Sequence, residues 1–211
     1  VVIAALTLHV RGAHAQTPPP ATAKTEVDRA VTLALEGRTL YDDGRFAEAL
    51  EKFRAADRIA HSPVLSLYVA RCERNLNHLV AARDAYRIVA LHALAPGDPP
   101  VFASAKSEAA TELGTLEPRI PRVKVEVPAA TAATRVQLDG VVVETAEPLW
   151  VDPGDHELSR HDGGEPRKVS FRAVQGAATL TIELPAPGAA LAPAGEEPME
   201  EGGLDPDLVP G

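Results

Sequence analysis

The chain has 211 residues, 45% of them hydrophobic and only 4% aromatic, and a formal net charge of -9. That length allows one or two small domains. The acidic balance argues against nucleic acid as a partner, because neutralising phosphates takes clustered Lys and Arg; the lone cysteine, Cys72, excludes an internal disulfide.

Residues 1–15 read as part of a signal peptide. Val1 to Val10 is almost wholly apolar, and Ala13-His14-Ala15 fits the small-x-small pattern of a cleavage site. No initiating Met or basic segment precedes the run, so the sequence is expected to begin inside the signal. The run is too short to span a bilayer. Export without disulfides points to a bacterial envelope protein, periplasmic or envelope-associated, with an ordinary core. Residues 16–26, opening Gln16-Thr17-Pro18-Pro19-Pro20, are expected to form a disordered linker.

Five helices are expected next. Thr25-Glu26-Val27-Asp28 resembles a capping box and opens a first helix running through Tyr41. Asp42-Asp43-Gly44 ends it. A second helix covers residues 45–60, with Phe46, Ala49, Leu50, Phe53 and Ala56 as its apolar stripe at three- and four-residue spacing. Ser62-Pro63 starts a third, Ser as N-cap and Pro at the first helical position, ending near Leu76. Cys72 falls among its apolar positions as a small core residue. A fourth helix runs from about His78 to Leu94, and Ala95-Pro96-Gly97-Asp98-Pro99-Pro100 breaks the pattern. A fifth covers residues 100–116, with Phe102, Ala105, Ala109 and Leu113 inward.

After Pro121 the apolar period changes from that of a helix to that of a strand. Val123, Val125 and Val127 alternate with polar residues; so do Val136 and Leu138, Val169 and Phe171, and Leu180, Ile182 and Leu184. Asp139-Gly140 signals a hairpin, and Asp152-Pro153-Gly154 and Gly163-Gly164 signal further turns. About seven short strands in this span suggest a small antiparallel sandwich. Trp150, within Leu149-Trp150-Val151, is expected as a core anchor. Residues 185–211 are rich in Pro, Ala, Gly and Glu, carry Glu196, Glu197, Glu200, Glu201, Asp205 and Asp207, and are expected to be a disordered acidic tail.

The helical region matches itself when shifted along its own sequence. Gly37 aligns with Ala70, Gly44 with Asn77, Phe46 with Leu79, Ala49 with Ala82, Phe53 with Tyr86 and Ala56 with Val89, each pair the same distance apart. Stacked units of this size usually build a binding surface. On these residues the region 27–117 resembles the tetratricopeptide repeat (TPR), whose period is about 34 residues, one more than the shift seen here. It departs from that pattern at Leu33 and Ser66, where the family has an aromatic, and at His61, where it has the closing Pro. The fifth helix would then be a capping half repeat. Residues 121–184 resemble the bacterial PEGA domain, a surface-associated β-sandwich, through Val136-Gln137-Leu138-Asp139-Gly140, Glu147-Pro148-Leu149-Trp150-Val151 and Pro153-Gly154-Asp155-His156. The pair of resemblances implies a multi-domain α+β chain like those of a group of exported envelope proteins. In that group a membrane helix often follows the Pro-rich stretch, so a membrane tether here would need chain beyond Gly211.

The resemblance also implies a register. Val31, Ala34, Arg38 and Tyr41, then Val64, Leu67, Arg71 and Arg74, would line a concave groove that takes an extended peptide. Arg38, Arg71 and Arg74 could clamp a carboxylate there, with Asn75 donating to the peptide backbone. The expected partner is a protein or peptide, acidic in character. The competing reading pairs these arginines with Glu36, Glu73 or Asp42. An alternative places function on the sandwich, as a cell-surface module associated with peptidoglycan or carbohydrate. No catalytic, cofactor or metal site is expected. The sequence has no Gly-x-Ser-x-Gly, Walker loop or Gly-x-Gly-x-x-Gly. Asp152, Asp155, His156, His161 and Asp162 look like metal ligands, but His156 and His161 are five apart on a strand and point to opposite faces. Glu108 and Glu112 read as solvated acids on one helix face.

Overall fold

The computed structural model describes residues 21–186. The expected signal peptide, the first part of the linker and nearly all of the acidic tail lie outside them. The chain is α+β and divides into two compact units at Pro118–Arg119.

The first unit is five helices: α1 (Ala21–Asp42), α2 (Phe46–Ile59), α3 (Pro63–Asn75), α4 (Leu79–Ala90) and α5 (Pro100–Leu116). Helix α1 starts earlier than the capping-box reading places it, so residues 21–26 are helical rather than linker and Thr25 lies inside the helix. Helix α4 stops at Ala90 instead of near Leu94. Beyond it, Pro96 biases Ala95 away from helical angles, and Ala95 N–H donates to the Asp98 carboxylate (2.7 Å) in a turn before α5. The Ser62 cap forms as expected: its hydroxyl accepts from the Val64 amide at 3.2 Å, with Pro63 in the first turn.

The internal match is visible in the backbone. Helix α1 ends with Gly44 N–H donating to Tyr41 C=O (3.0 Å) and Arg45 N–H to Leu40 C=O (2.8 Å). Helix α3 ends with the same two bonds at the aligned positions of the second repeat: Asn77 to Arg74 (3.1 Å) and His78 to Glu73 (3.0 Å). Both are Schellman turns, and each needs a left-handed residue. Gly44 (φ 76°) and Asn77 (φ 65°) supply it. The small residues match too. A Cβ on Gly37 would lie 3.1 Å from the Phe53 ring, and Ala70 is fully buried. Phe53 and Tyr86 fill equivalent buried positions on α2 and α4. Cys72 is buried in the core with Ala49, Leu50 and Phe53, and burial pushes its thiol up to about 12, which leaves it unreactive.

The second unit has seven strands among the described residues: β1 (Arg122–Glu126), β2 (Arg135–Leu138), β3 (Val141–Val142), β4 (Leu149–Trp150), β5 (Gly154–His161), β6 (Arg167–Ala173) and β7 (Leu180–Glu183). They form two sheets, ordered β4-β1-β7 and β3-β2-β5-β6. The sheets are not wholly antiparallel, as the sequence reading expected: β1 and β7 pair in parallel, with Val125 opposite Ile182. A parallel pair needs a long crossover, and here the chain from β2 through β6 makes it. Val123, Val125, Ile182 and Leu184 from one sheet and Val136, Leu158 and Ala173 from the other share a single core. Trp150 is only half-buried; the Arg122 guanidinium lies 5.0 Å from its ring centre, and the neighbouring Val151 fills the core instead.

Candidate functional site

The arginines that the sequence points to lie along α1 and α3, and two of them converge on Tyr68, a residue the sequence reading did not select. Arg38 of α1 and Arg71 of α3 flank its ring at 5.3 and 5.5 Å. Tyr41 meets it edge-on at 5.5 Å, and Phe53 stacks on it at 4.9 Å. Arg38 donates to the Tyr68 hydroxyl and, from Nε, to both carboxylate oxygens of Asp42 at 2.9 Å. The signal for Tyr68 was its place one repeat after Leu35, on the helix that packs over α2.

Arg71 and Arg74 are not open to solvent in the manner the groove reading assumes. Helix α5 reaches across with Glu108 and Glu112. Arg71 donates to Glu112 Oε1 (Nε, 2.9 Å) and to Glu108 Oε2 (2.7 Å); Arg74 donates to Glu112 Oε2 (2.8 Å). The buried Tyr86 hydroxyl donates to the same Oε2 at 2.6 Å. Burial works against the charge on Glu112, yet the hydrogen bonds from Arg71 and Tyr86 and the two guanidinium charges hold its carboxyl below the usual range. Burial also disfavours the Arg71 cation, and Glu112 and Glu108 raise its pKa regardless. Glu112 is therefore not a solvated acid: it is the hub of a two-arginine clamp. The competing reading holds at Arg38, which takes Asp42. Glu36 instead takes Lys52, and Glu73 takes Arg54 and His78.

Two other expected groove residues turn elsewhere. Leu67 is 2% exposed and belongs to the core, because its position on α3 faces inward beside Ala70. Asn75 is exposed, but its amide donates to the Arg71 carbonyl (2.7 Å) of its own helix and to the Tyr41 hydroxyl (3.4 Å). What stays accessible is the row Arg38, Tyr41, Tyr68 and Asn75, with exposed Val31 one turn or more before Arg38 on α1.

In the β unit the residues that looked like metal ligands are each engaged otherwise. His156 faces the Asp139 carboxylate with Nδ1 (2.6 Å) and the Asp152 carbonyl with Nε2 (2.7 Å), and stacks on Phe171. Both nitrogens face acceptors, which favours the protonated ring: burial pulls its pKa down, but the bonds to Asp139 and Asp152 outweigh that and raise it. His161 faces Ser159, Asp155 pairs with Arg172, and Asp162 pairs with Arg160 and Thr134. No helix among the described residues is long and apolar enough to cross a membrane.

The chain matches no family model, and no curated protein or solved structure proves similar to it.

Proposed function

We propose that this is a non-catalytic protein-binding scaffold of the bacterial envelope, built from a TPR-like pair of helical hairpins capped by α5 and followed by a PEGA-like β unit. The Schellman turn that recurs at aligned positions, Gly44 and Asn77, supports the first resemblance, and the shared core of two small sheets supports the second. In this reading the α1–α3 face holds an extended, carboxylate-bearing segment of a protein partner. The observation that carries it is the α5 clamp. The same face already takes two carboxylates, Glu108 and Glu112, on arginines presented by α3.

Magnitudes select which arginine a partner would use. Displacing Glu112 would strip hydrogen bonds from Arg71, Arg74 and Tyr86 in a largely buried setting, at about 1.5–3 kcal/mol for each charged bond lost. Displacing Asp42 from Arg38 breaks an exposed pair one helical turn apart, worth about 0.3–0.5 kcal/mol. The ligand carboxylate therefore sits on Arg38, beside Tyr68 and Tyr41, rather than on Arg71 and Arg74. The test is fluorescence anisotropy of a labelled glutamate-rich peptide with the full chain and Arg38→Gln. The reading expects binding about tenfold weaker in the variant. Equal binding by both would overturn it; retention on insoluble peptidoglycan, unaffected by Arg38→Gln, would move the function to the β unit.

A further inference from the structure

A second cleft of about 320 Å³ lies in the helical unit away from the Arg38 face, lined by α2, the α2–α3 connection, α3 and α4. That volume is at the lower end for small-molecule sites. Its apolar surface comes from Val69, Ala85 and Ile88, of which Ile88 is 66% exposed. Its polar rim comes from Arg54, Asp57, Arg58, His61 and Ser66.

Most of that rim is already satisfied within the protein. Arg54 is bound to the buried Glu73 and lies beside Glu51. Asp57 accepts from the Ser62 amide at 3.0 Å and from the Ser66 hydroxyl at 3.4 Å, and faces His61 Nδ1 at 3.1 Å. Asp57 is thereby engaged in starting α3 and leaves Arg58, its neighbour in sequence, without a carboxylate. Among the described residues of α1–α4, every other arginine except Arg87 is ion-paired to an acid. Arg58 alone combines an uncommitted guanidinium with a place in the wall of an apolar cleft, and His61 stands on the same rim.

We infer that this cleft binds a small aliphatic carboxylate, its chain against Val69, Ala85 and Ile88 and its carboxylate on Arg58. The charge complementarity sets the sign of the ligand, since a cation would meet Arg54 and Arg58 with Asp57 already engaged. The apolar floor sets its body, and the volume limits it to a short chain. The inference is independent of the Arg38 face, because no residue is shared between the two sites.

The probe is octanoate, followed by amide chemical shifts of the full chain, with acetate (charge without chain) and octanol (chain without charge) as controls. Octanoate is expected to shift the amides of Val69, Ala85 and Ile88 saturably. Arg58→Gln is expected to weaken it about tenfold, the loss of one charged hydrogen bond. Ile88→Asp, at an exposed position that folding tolerates, is expected to abolish it. Acetate should leave these residues unmoved, and octanol should bind more weakly than octanoate. The inference is overturned if octanoate shifts none of the three residues, if Arg58→Gln binds it as well as the wild-type chain, or if octanol binds equally well. It is also overturned if a leucine-terminated peptide shifts them and octanoate does not.

Discussion

Each unit of this molecule is organised around arginine, and the two do it in opposite ways. In the helical unit Arg71 and Arg74 reach across to Glu112 and Glu108 of α5, and the network is made of side chains that keep some contact with water. In the β unit Arg160 is 1% exposed. It donates to the carbonyls of Pro128 (2.7 Å), Ala129 (3.3 Å) and Leu184 (3.2 Å) and, through Nε, to Asp162 (2.6 Å). The first network ties one helix to others through groups that a competing carboxylate can imitate. The second ties the 128–129 loop and the end of β7 to β5 through backbone, and nothing can exchange into it without opening the core. The proposed reading therefore places binding chemistry on the helices and gives the β unit's arginine a structural part.

The largest effect that would test this contrast is Arg160→Ala. It leaves three carbonyls unsatisfied and is expected to cost about 3–5 kcal/mol. Urea unfolding followed by the fluorescence of the single tryptophan, Trp150, which lies in the β unit, measures it; a loss under about 1 kcal/mol would show that the buried arginine is replaceable. Next comes Glu112→Ala, which frees Arg74 and the Tyr86 hydroxyl, leaves Arg71 with Glu108 alone and should cost about 2 kcal/mol. Far-ultraviolet circular dichroism of the helical transition reports it. The same network gives a pH signature. Because the folded-state pKa of Glu112 is depressed, its contribution is complete above the ordinary glutamate value near 4.5 and is lost as pH falls through its lower folded value.

His156 runs the other way. Its folded pKa is raised above the ordinary 6.5, so its contribution to the β unit is complete below that value and is lost as pH rises through the folded pKa. Trp150-monitored stability of wild type minus His156→Gln should shrink across that window, by about 1 kcal/mol or less; a difference independent of pH would refute the raised pKa. An effect of similar size is expected at the repeated turn. Asn77→Gly should be nearly neutral, whereas Asn77→Ala places a Cβ in the left-handed region at about 1 kcal/mol. Equal stability of the two variants in thermal unfolding would show that the turn does not depend on that geometry.

What the sequence made legible was local. Ser62-Pro63 at a helix start, Gly44 and Asn77 at matched helix ends, and the alternating Val123-Val125 strand each depend on a few neighbouring residues, and each stands where its chemistry places it. What it concealed was long-range. Glu108 and Glu112 look like solvated acids until α5 folds over α3, although their four-residue spacing against Arg71 and Arg74, three apart, was a complementary signal. Arg160 gave less warning. Leu158, Ser159 and Arg160 are buried in succession, which breaks the alternation that marks a strand. Leu67 was misplaced for a related reason: a register taken from a resemblance orients a helix only to within a residue, and one residue is the difference between groove and core.

The central claim is that a partner's carboxylate meets Arg38 on the open face of α1 and α3. A double-mutant cycle tests it most directly, pairing Arg38→Gln in the full chain with single Glu→Gln changes along the bound glutamate-rich peptide. The account predicts one peptide position whose coupling to Arg38 reaches about 1.5 kcal/mol or more. Coupling near zero at every position, with binding intact, would contradict it.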